Sequence, residues 1–321
     1  MLRPLLLLSP MSSMSPITAL PVPPSLLGES PLWHPDEQVL YWVDIPGCLL
    51  NRWQPAGALH TQWPLDAEPG CCAALLGGGL LLAMRDGLWR FDAHSGRRSQ
   101  LAKPPYDPAS QRFNDGKADA QGRFWVGTID DQRLPHAALF CLAAGQLTQQ
   151  ADGITVSNGL AFSPDGRSLL WADTKAHVIH AFDFDPAAGG LSRQRVFRQF
   201  ALRADGQPLA SYGGRPDGAA MDAEGACWVA MFEGQRLLRL APDGSTLAEL
   251  ALPLRCPTMP CFGGTDLKTL YITTARDKRP ADELAAQPLA GCVLQLRVDV
   301  PGLPANRVLR ELRPAGRIDT G

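Results

Sequence analysis

Six short, strongly apolar segments recur along the chain, and each follows a turn rich in glycine, aspartate or proline. Aligned on one position, they centre on residues 42, 82, 125, 171, 228 and 271, at spacings of 40, 43, 46, 57 and 43 residues. A second apolar run follows, as at 87–92 and 178–183. Strand pairs that recur about every 45 residues are typical of four-stranded propeller blades. The sequence therefore predicts an all-β fold, a six-bladed β-propeller.

A pair of β-sandwiches with similar turns is the alternative, and six spaced copies argue against it. A propeller closes on itself, so it leaves no long sheet edge exposed. No linker-like stretch interrupts the repeats, and we expect a single propeller domain over residues 25–312. Residues 1–24 are predicted to be a flexible leader, and residues 313–321 a C-terminal tail.

Composition excludes several classes of function. The chain is 45% hydrophobic and 19% charged, which suits a soluble globular protein with ample core material. The net charge is −2 and no basic run occurs, so we expect neither nucleic acid nor a membrane as partner. No stretch approaches the roughly 18 apolar residues of a spanning helix. The apolar run at 5–8 is too short for a signal peptide.

The eight cysteines show no metal-binding spacing. Without a convincing secretion signal, we expect mostly free, buried thiols and a cytoplasmic location. A bridge between Cys256 and Cys261 is the alternative.

Four of the six repeats carry an oxygen-bearing side chain 11 or 13 residues before the reference tryptophan: Glu29, Asn114, Asn158 and Asp217. Each alone is consistent with an ordinary turn residue. Because they recur where the innermost strand of a blade begins, we expect them to converge on the propeller axis. Two carboxylates with amide oxygens suit a hard or borderline divalent cation. Open positions left for water and substrate are typical of a catalytic metal.

Longer stretches around these positions resemble a known family. They are GESPLW (28–33), YWVDI (41–45), RFNDGKADAQGRFWVGT (112–128), SNGLAFSPDG (157–166), RPDGAAMDAEGACWVA (215–230) and CFGGTDLKTLYITTA (261–275). In this order, they resemble the senescence-marker-protein, regucalcin and gluconolactonase family, which is related to luciferin-regenerating enzyme.

The resemblance implies a role for each matching residue. Glu29, Asn158 and Asp217 match the family's metal ligands, and Asp217 also matches its general base. Arg112 and Asn114 match residues that hold the oxygens of a sugar lactone.

One segment departs from the family's pattern. Gln132 stands where the family often has a substrate-binding glutamate, with Asp131 as a partial substitute. This departure leaves the preferred sugar open.

The chemistry agrees with the implied activity. No GxSxG nucleophile elbow is present, and none of the six histidines falls in the recurring slot. A divalent ion can polarise an ester carbonyl and acidify a bound water. Asp217 would accept the proton of that water, while Arg112 offers a fork of donors to the substrate.

We therefore predict hydrolysis of a sugar-acid lactone, such as a gluconolactone, xylonolactone or arabinonolactone, with one divalent metal ion. Calcium, zinc, manganese and ferrous iron all remain candidates for the ion. Three alternatives stay open: phosphotriester or aryl ester hydrolysis in the same channel, a non-enzymatic calcium-binding protein like regucalcin, and a propeller used only to bind proteins.

Overall fold

The structure is a computed structural model that describes residues 15–309, and it consists almost entirely of antiparallel sheet. A short N-terminal strand, β1 (Thr18–Ala19), precedes the first blade. The first blade contains β2 (Gly28–His34), β3 (Val39–Asp44), β4 (Leu49–Gln54) and β5 (Leu59–Pro64). The second contains β6 (Pro69–Ala74), β7 (Leu80–Met84), β8 (Gly87–Phe91) and β9 (Arg98–Ala102). The third contains β10 (Gln111–Ala118), β11 (Phe124–Asp130), β12 (Ala137–Ala143) and β13 (Gln146–Ile154).

The remaining blades repeat this order. The fourth contains β14 (Ser157–Phe162), β15 (Ser168–Asp173), β16 (Val178–Asp185) and β17 (Gly190–Gln199). The fifth contains β18 (Arg215–Met221), β19 (Cys227–Phe232), β20 (Arg236–Leu240) and β21 (Thr246–Ala251). The sixth contains β22 (Pro257–Gly263), β23 (Thr269–Thr274) and β24 (Leu294–Arg297), with β1 as its outermost strand. The predicted six-bladed β-propeller is confirmed.

The sixth blade closes the ring by joining the two ends of the described chain. Thr18 lies opposite Gln295 and Ala19 opposite Leu294. Leu20 and Val22 are buried in the same cluster as Val293. The structure therefore differs from the expected flexible leader over 1–24, because residues 18–22 pair and pack as part of the propeller. Residues 1–14, the expected domain end at 312 and the expected tail at 313–321 lie outside the described residues.

Helical structure within residues 15–309 is confined to connections. A 3-10 turn spans Leu209–Ser211, and the helix α1 spans Ala281–Ala286. No helix in this part of the chain has the length and apolar character needed to cross a membrane.

The recurring tryptophans anchor the second strand of four blades. Trp42, Trp125, Trp171 and Trp228 are at most 2% exposed. Each indole N–H has a partner, as a buried indole requires. Trp125 donates to Asp119 and Trp228 to Asp222, each at a distance of 3.0 Å.

The innermost strands β2, β6, β10, β14, β18 and β22 contact one another in a closed ring around the axis. Every one of them carries an interruption of register against its neighbour. Such bulges bend a strand and re-aim its side chains. In β2, β10, β14 and β18, residues near the start of the strand line a cavity at one end of the axis, which we call the upper cavity. Residues farther along all six strands line a second cavity at the other end, the lower cavity.

Candidate active site

The upper cavity has a volume of about 370 Å³ and collects the polar residues of the innermost strands. Five residues expected from the sequence line it: Glu29, Arg112, Asn114, Asn158 and Asp217. Glu29 and Asn158 stand at the start of their bulges, whereas Asn114 and Asp217 lie within theirs. The four side chains therefore do not all occupy the same register position in their strands. Apolar side chains such as Ile45, Ile129 and Val156 complete the wall.

Two carboxylates, Glu29 and Asp217, line this cavity, and neither forms an ion pair within residues 15–309. Burial, followed by the negative charges of Asp217 and Asp115, raises the pKa of Glu29 well above its usual range. Burial raises the pKa of Asp217 to about 8; Arg215 opposes this shift and Asp115 adds to it. Burial and the mutual repulsion of the acids therefore outweigh the attraction of Arg112 and Arg215.

A chain of directed hydrogen bonds fixes the amides between these groups. Arg112 Nη1 donates to Asn114 Oδ1 over 2.7 Å, and Asn114 Nδ2 donates to Asn158 Oδ1 over 2.8 Å. Asn158 Nδ2 then donates to Asp217 Oδ1 over 2.5 Å and to Thr174 Oγ1 over 2.9 Å. Because every link has a defined donor and acceptor, each amide has a single orientation that satisfies the network.

The donor set fits a divalent cation. No group of three or more His, Cys, Asp or Glu side chains within residues 15–309 is arranged to hold a metal. An ion here would rely on two carboxylates and an amide oxygen. Asn158 Oδ1 accepts one hydrogen bond, which leaves a second lone pair. Oxygen-only donors around uncompensated negative charge suit a hard cation.

Asp115 forms a third buried acid beside the two carboxylates. Its Oδ2 accepts the backbone N–H of Leu160 over 2.9 Å, and its Oδ1 is buried without a hydrogen-bond partner among the described residues. Burial raises the pKa of Asp115, although Lys117 and backbone hydrogen bonds oppose the shift. The sequence placed Asp115 beside Asn114 but gave no sign that it lies under the site.

Four further residues at the upper cavity were missed from the sequence: Arg133, Lys175, His177 and Arg215. The first three belong to turns, which carry no repeat signal. Arg215 forms an ion pair with Glu233 over 2.6 Å. His177 Nε2 contacts the Tyr212 hydroxyl, and burial lowers the pKa of this imidazole.

The structure does not bring two of the expected substrate-binding residues to the cavity. Asp131 is held outside it by Arg85, through hydrogen bonds of 3.0 and 3.1 Å. Glu68 fixes the same guanidinium over 2.7 Å. Gln132 is exposed, and its backbone N–H is bonded to the Asp130 carboxylate over 2.8 Å. Neither residue lines the upper cavity.

The lower cavity is smaller, about 130 Å³, and mostly apolar. Residues 303–306 close it together with side chains such as Met221 and Met259. Its cation, Lys117, donates to the Ala219 carbonyl over 3.0 Å. Asn306 donates to the Ala118 carbonyl over 3.2 Å.

Comparisons with known proteins agree with this architecture. Residues 27–276 match the family model described as SMP-30/Gluconolactonase/LRE-like region. The chain is 44% identical, over 87% of its length and 94% of the relative's, to a Pseudomonas putida protein named 6-deoxy-6-sulfogluconolactonase. It is 35% identical to regucalcin of Danio rerio, over 87% of this chain and 93% of that one. A solved structure of regucalcin from Agrobacterium tumefaciens, described as a calcium-binding protein, superposes with a TM-score of 0.84 at 27% identity, covering 90% of this chain and 96% of that one.

Proposed function

The chain belongs to the SMP-30/gluconolactonase/LRE-like family, and on that premise we propose that it hydrolyses a sugar-acid lactone in the upper cavity. It is thus a hydrolase acting on a carboxylic ester. The observation that carries the proposal is the presence of Glu29 and Asp217, two buried carboxylates that form no ion pair among the described residues, beside the donors of Arg112 in one open cavity. The relative named a sulfogluconolactonase supports a sugar lactone as substrate.

We propose that Glu29, Asn158 and Asp217 hold one divalent cation. When bound, such an ion polarises an ester carbonyl and lowers the pKa of a bound water. Calcium is the first candidate, because the donors are all oxygens and a regucalcin structure is described as calcium-binding. Zinc, manganese and ferrous iron remain to be compared.

The proposed proton transfers use Asp217. Its carboxylate is held in a fixed orientation by Asn158 Nδ2, which suits a general base. Asp217 takes a proton from the attacking water as the water oxygen bonds to the lactone carbonyl carbon. The bond from that carbon to the ring oxygen then breaks, and Asp217 returns the proton to the ring oxygen. The product is the open-chain sugar acid.

Arg112 and Asn114 position the substrate in this scheme. Arg112 forms hydrogen bonds with the Phe113 carbonyl and Asn114 Oδ1, which leave other guanidinium donors for lactone oxygens. The bond from Asn114 to Asn158 ties substrate position to the orientation of Asp217.

Replacement of Asp217 tests the assignment. We expect Asp217→Ala to remove essentially all lactone hydrolysis, because it removes both the proposed base and a metal ligand. A pH-indicator assay on a panel of aldonolactones measures the loss, and circular dichroism checks that the variant is folded. Met221→Leu, on the same strand but at the lower cavity, is the matched control and should keep full activity. Full activity in folded Asp217→Ala would contradict the assignment.

A metal panel separates this function from the other candidates. Chelated protein is assayed with single metals added back, on sugar lactones, an aryl ester and a phosphotriester. A preference for lactones supports the proposal, and a preference for the phosphotriester supports the alternative hydrolase. Tight calcium binding without turnover supports the binding role suggested by relatives named regucalcin.

The cytoplasmic location and the absence of nucleic-acid or membrane partners stay predictions. All eight cysteines fall within the described residues and are free, including Cys256 and Cys261.

A further inference from the structure

The upper cavity holds more positive charge than its own acids neutralise. Three cations that line it, Arg112, Arg133 and Lys175, have no carboxylate within ion-pair distance among the described residues. Arg215, the fourth, is paired with Glu233. Two acids line the cavity, and in the proposed function both of them bind a divalent cation. When the divalent ion is bound, Arg112, Arg133 and Lys175 therefore still have no acid of the cavity to neutralise them.

Arg133 and Lys175 lie together at the mouth of the cavity. Lys175 Nζ donates to the Arg133 carbonyl over 3.1 Å, and Arg133 Nη1 donates to the Asp130 carbonyl over 2.9 Å. Both side chains are exposed to solvent. Their charged groups are thus tethered to the rim by contacts with neutral carbonyls.

Neighbouring residues do not supply the missing negative charge. The Asp130 carboxylate binds the backbone N–H of Gln132 over 2.8 Å and contacts His136 over 3.3 Å. Asp131 is held by Arg85, and residue 132 is an uncharged glutamine. Burial lowers the pKa of Arg112; the negative charge of Glu68 raises this pKa and the positive charge of Arg133 lowers it. Glu68 is itself paired with Arg85.

We propose that Arg133 and Lys175 form a subsite for an oxyanion, a sulfonate or phosphate carried by the lactone at the end opposite its ring carbonyl. This inference rests on the proposed lactonase function. A neutral sugar gains little from paired cations at the mouth, whereas an oxyanion forms charge-assisted hydrogen bonds with them. The planar guanidinium of Arg133 can bind two oxygens at once, and Lys175 adds a compact charge.

The test compares three aldonolactones that differ only at the terminal carbon: hydroxyl, sulfonate and phosphate. We expect kcat/KM for an anionic lactone to exceed that for the neutral one by at least about tenfold, since one charged hydrogen bond is worth about that factor. Arg133→Gln and Lys175→Gln should each lower the anionic value about tenfold and change the neutral value less than about threefold. The anionic lactone with the larger kcat/KM shows whether the subsite prefers a sulfonate or a phosphate.

Arg167→Gln and Lys103→Gln are matched controls, because both residues are exposed and neither lines the cavity. Their kinetics should equal those of the original protein on all three lactones. A second measurement needs no variant: added salt should lower kcat/KM for the anionic lactones and leave the neutral value unchanged.

The outcomes separate the two proposals. Hydrolysis of the neutral lactone without any preference for an anion, or an equal loss on all three substrates in the variants, overturns the subsite and leaves the lactonase function standing. Failure to hydrolyse any of the three lactones contradicts the lactonase function itself.

Discussion

The upper cavity is lined by four of the innermost strands, β2, β10, β14 and β18, and the lower cavity by all six, yet the shared strands contribute different chemistry to the two. In β2, Glu29 lines the upper cavity and its neighbour Ser30 lines the lower one. In β18, Asp217 lines the upper cavity and Met221 the lower one. The interruption of register lies between the two ends of each strand. A single propeller wall thus presents a polar end and an apolar end.

This difference shows which end of the strands contains groups that destabilise the folded state. At the lower cavity, Ser30 Oγ accepts the backbone N–H of Cys72 over 3.0 Å, and Lys117 is bonded to a carbonyl. At the upper cavity, two carboxylates are kept together and the pKa of each is raised. Buried charge without a partner destabilises the folded state. In the proposed function, the carboxylates of the upper cavity therefore bind a ligand at the expense of stability, while the hydrogen bonds of Ser30 and Lys117 at the lower cavity stabilise packing.

The largest expected effect distinguishes the adjacent residues Glu29 and Ser30. Glu29→Gln removes a proposed metal ligand, and we expect kcat/KM on lactones to fall by at least about a hundredfold. Burial raises the pKa of Glu29, so at neutral pH this acid destabilises the folded state, and its replacement by a neutral amide should raise the Tm of the chelated protein. Ser30→Ala should behave in the opposite way: activity is retained, and stability falls by about 1 kcal/mol through loss of the hydrogen bond from Cys72. Lactone kinetics and thermal melts check both. Equal loss of activity in the two variants would contradict the assignment of Glu29 to the upper-cavity chemistry and of Ser30 to packing at the lower cavity.

The next effect concerns metal removal. A ligand that binds only the folded state at a hundredfold excess over its Kd stabilises that state by about 2.7 kcal/mol. We therefore expect the preferred divalent ion to raise the Tm of chelated protein by several degrees. The same addition to Glu29→Gln should produce little or no rise. An identical rise in both proteins would place the ion elsewhere.

The smallest expected effect on activity concerns a substitution at the lower cavity. A Cβ added at Gly302 would lie 2.1 Å from Phe262 Cγ, so Gly302→Ala must displace the ring or the closing segment. We expect a loss of about 1–3 kcal/mol of stability with unchanged lactone kinetics at low temperature. Gly190→Ala, where an added Cβ meets nothing within 4 Å, is the control. A loss of kcat in Gly302→Ala without a loss of stability would show that the two cavities are coupled.

The period of the sequence predicted the fold because each blade repeats the same local rules. A turn, an apolar strand and a buried tryptophan recur near every 45 residues, and these signals need no long-range information. The outer strand of the sixth blade escaped prediction, since Thr18 and Ala19 are too few to show alternation. Their strand conformation is imposed by β24, a partner about 280 residues away.

The residues of the candidate site also form two groups, one that could be predicted from the sequence and one that could not. Glu29, Asn114, Asn158 and Asp217 lie at closely similar positions in their repeats, so alignment alone could group them. Arg133 and Lys175 come from turns of different lengths, and only the folded chain brings them to one rim. The capture of Asp131 by Arg85, 46 residues earlier in sequence, likewise follows from packing. Positions within a repeat can be predicted from sequence; contacts between loops cannot.

The pairing of β1 with β24 also governs the order in which the ring can be completed. Five blades are built from consecutive residues, so each can form soon after its own segment is synthesised. The sixth waits until residues 294–297 emerge and then takes back a strand made at the start. After β24 has formed and before β1 pairs with it, the edge of β24 that β1 will occupy is unpaired and can accept a strand of another chain. Ring closure is therefore the step at which a nascent chain is most exposed to misassembly with its neighbours.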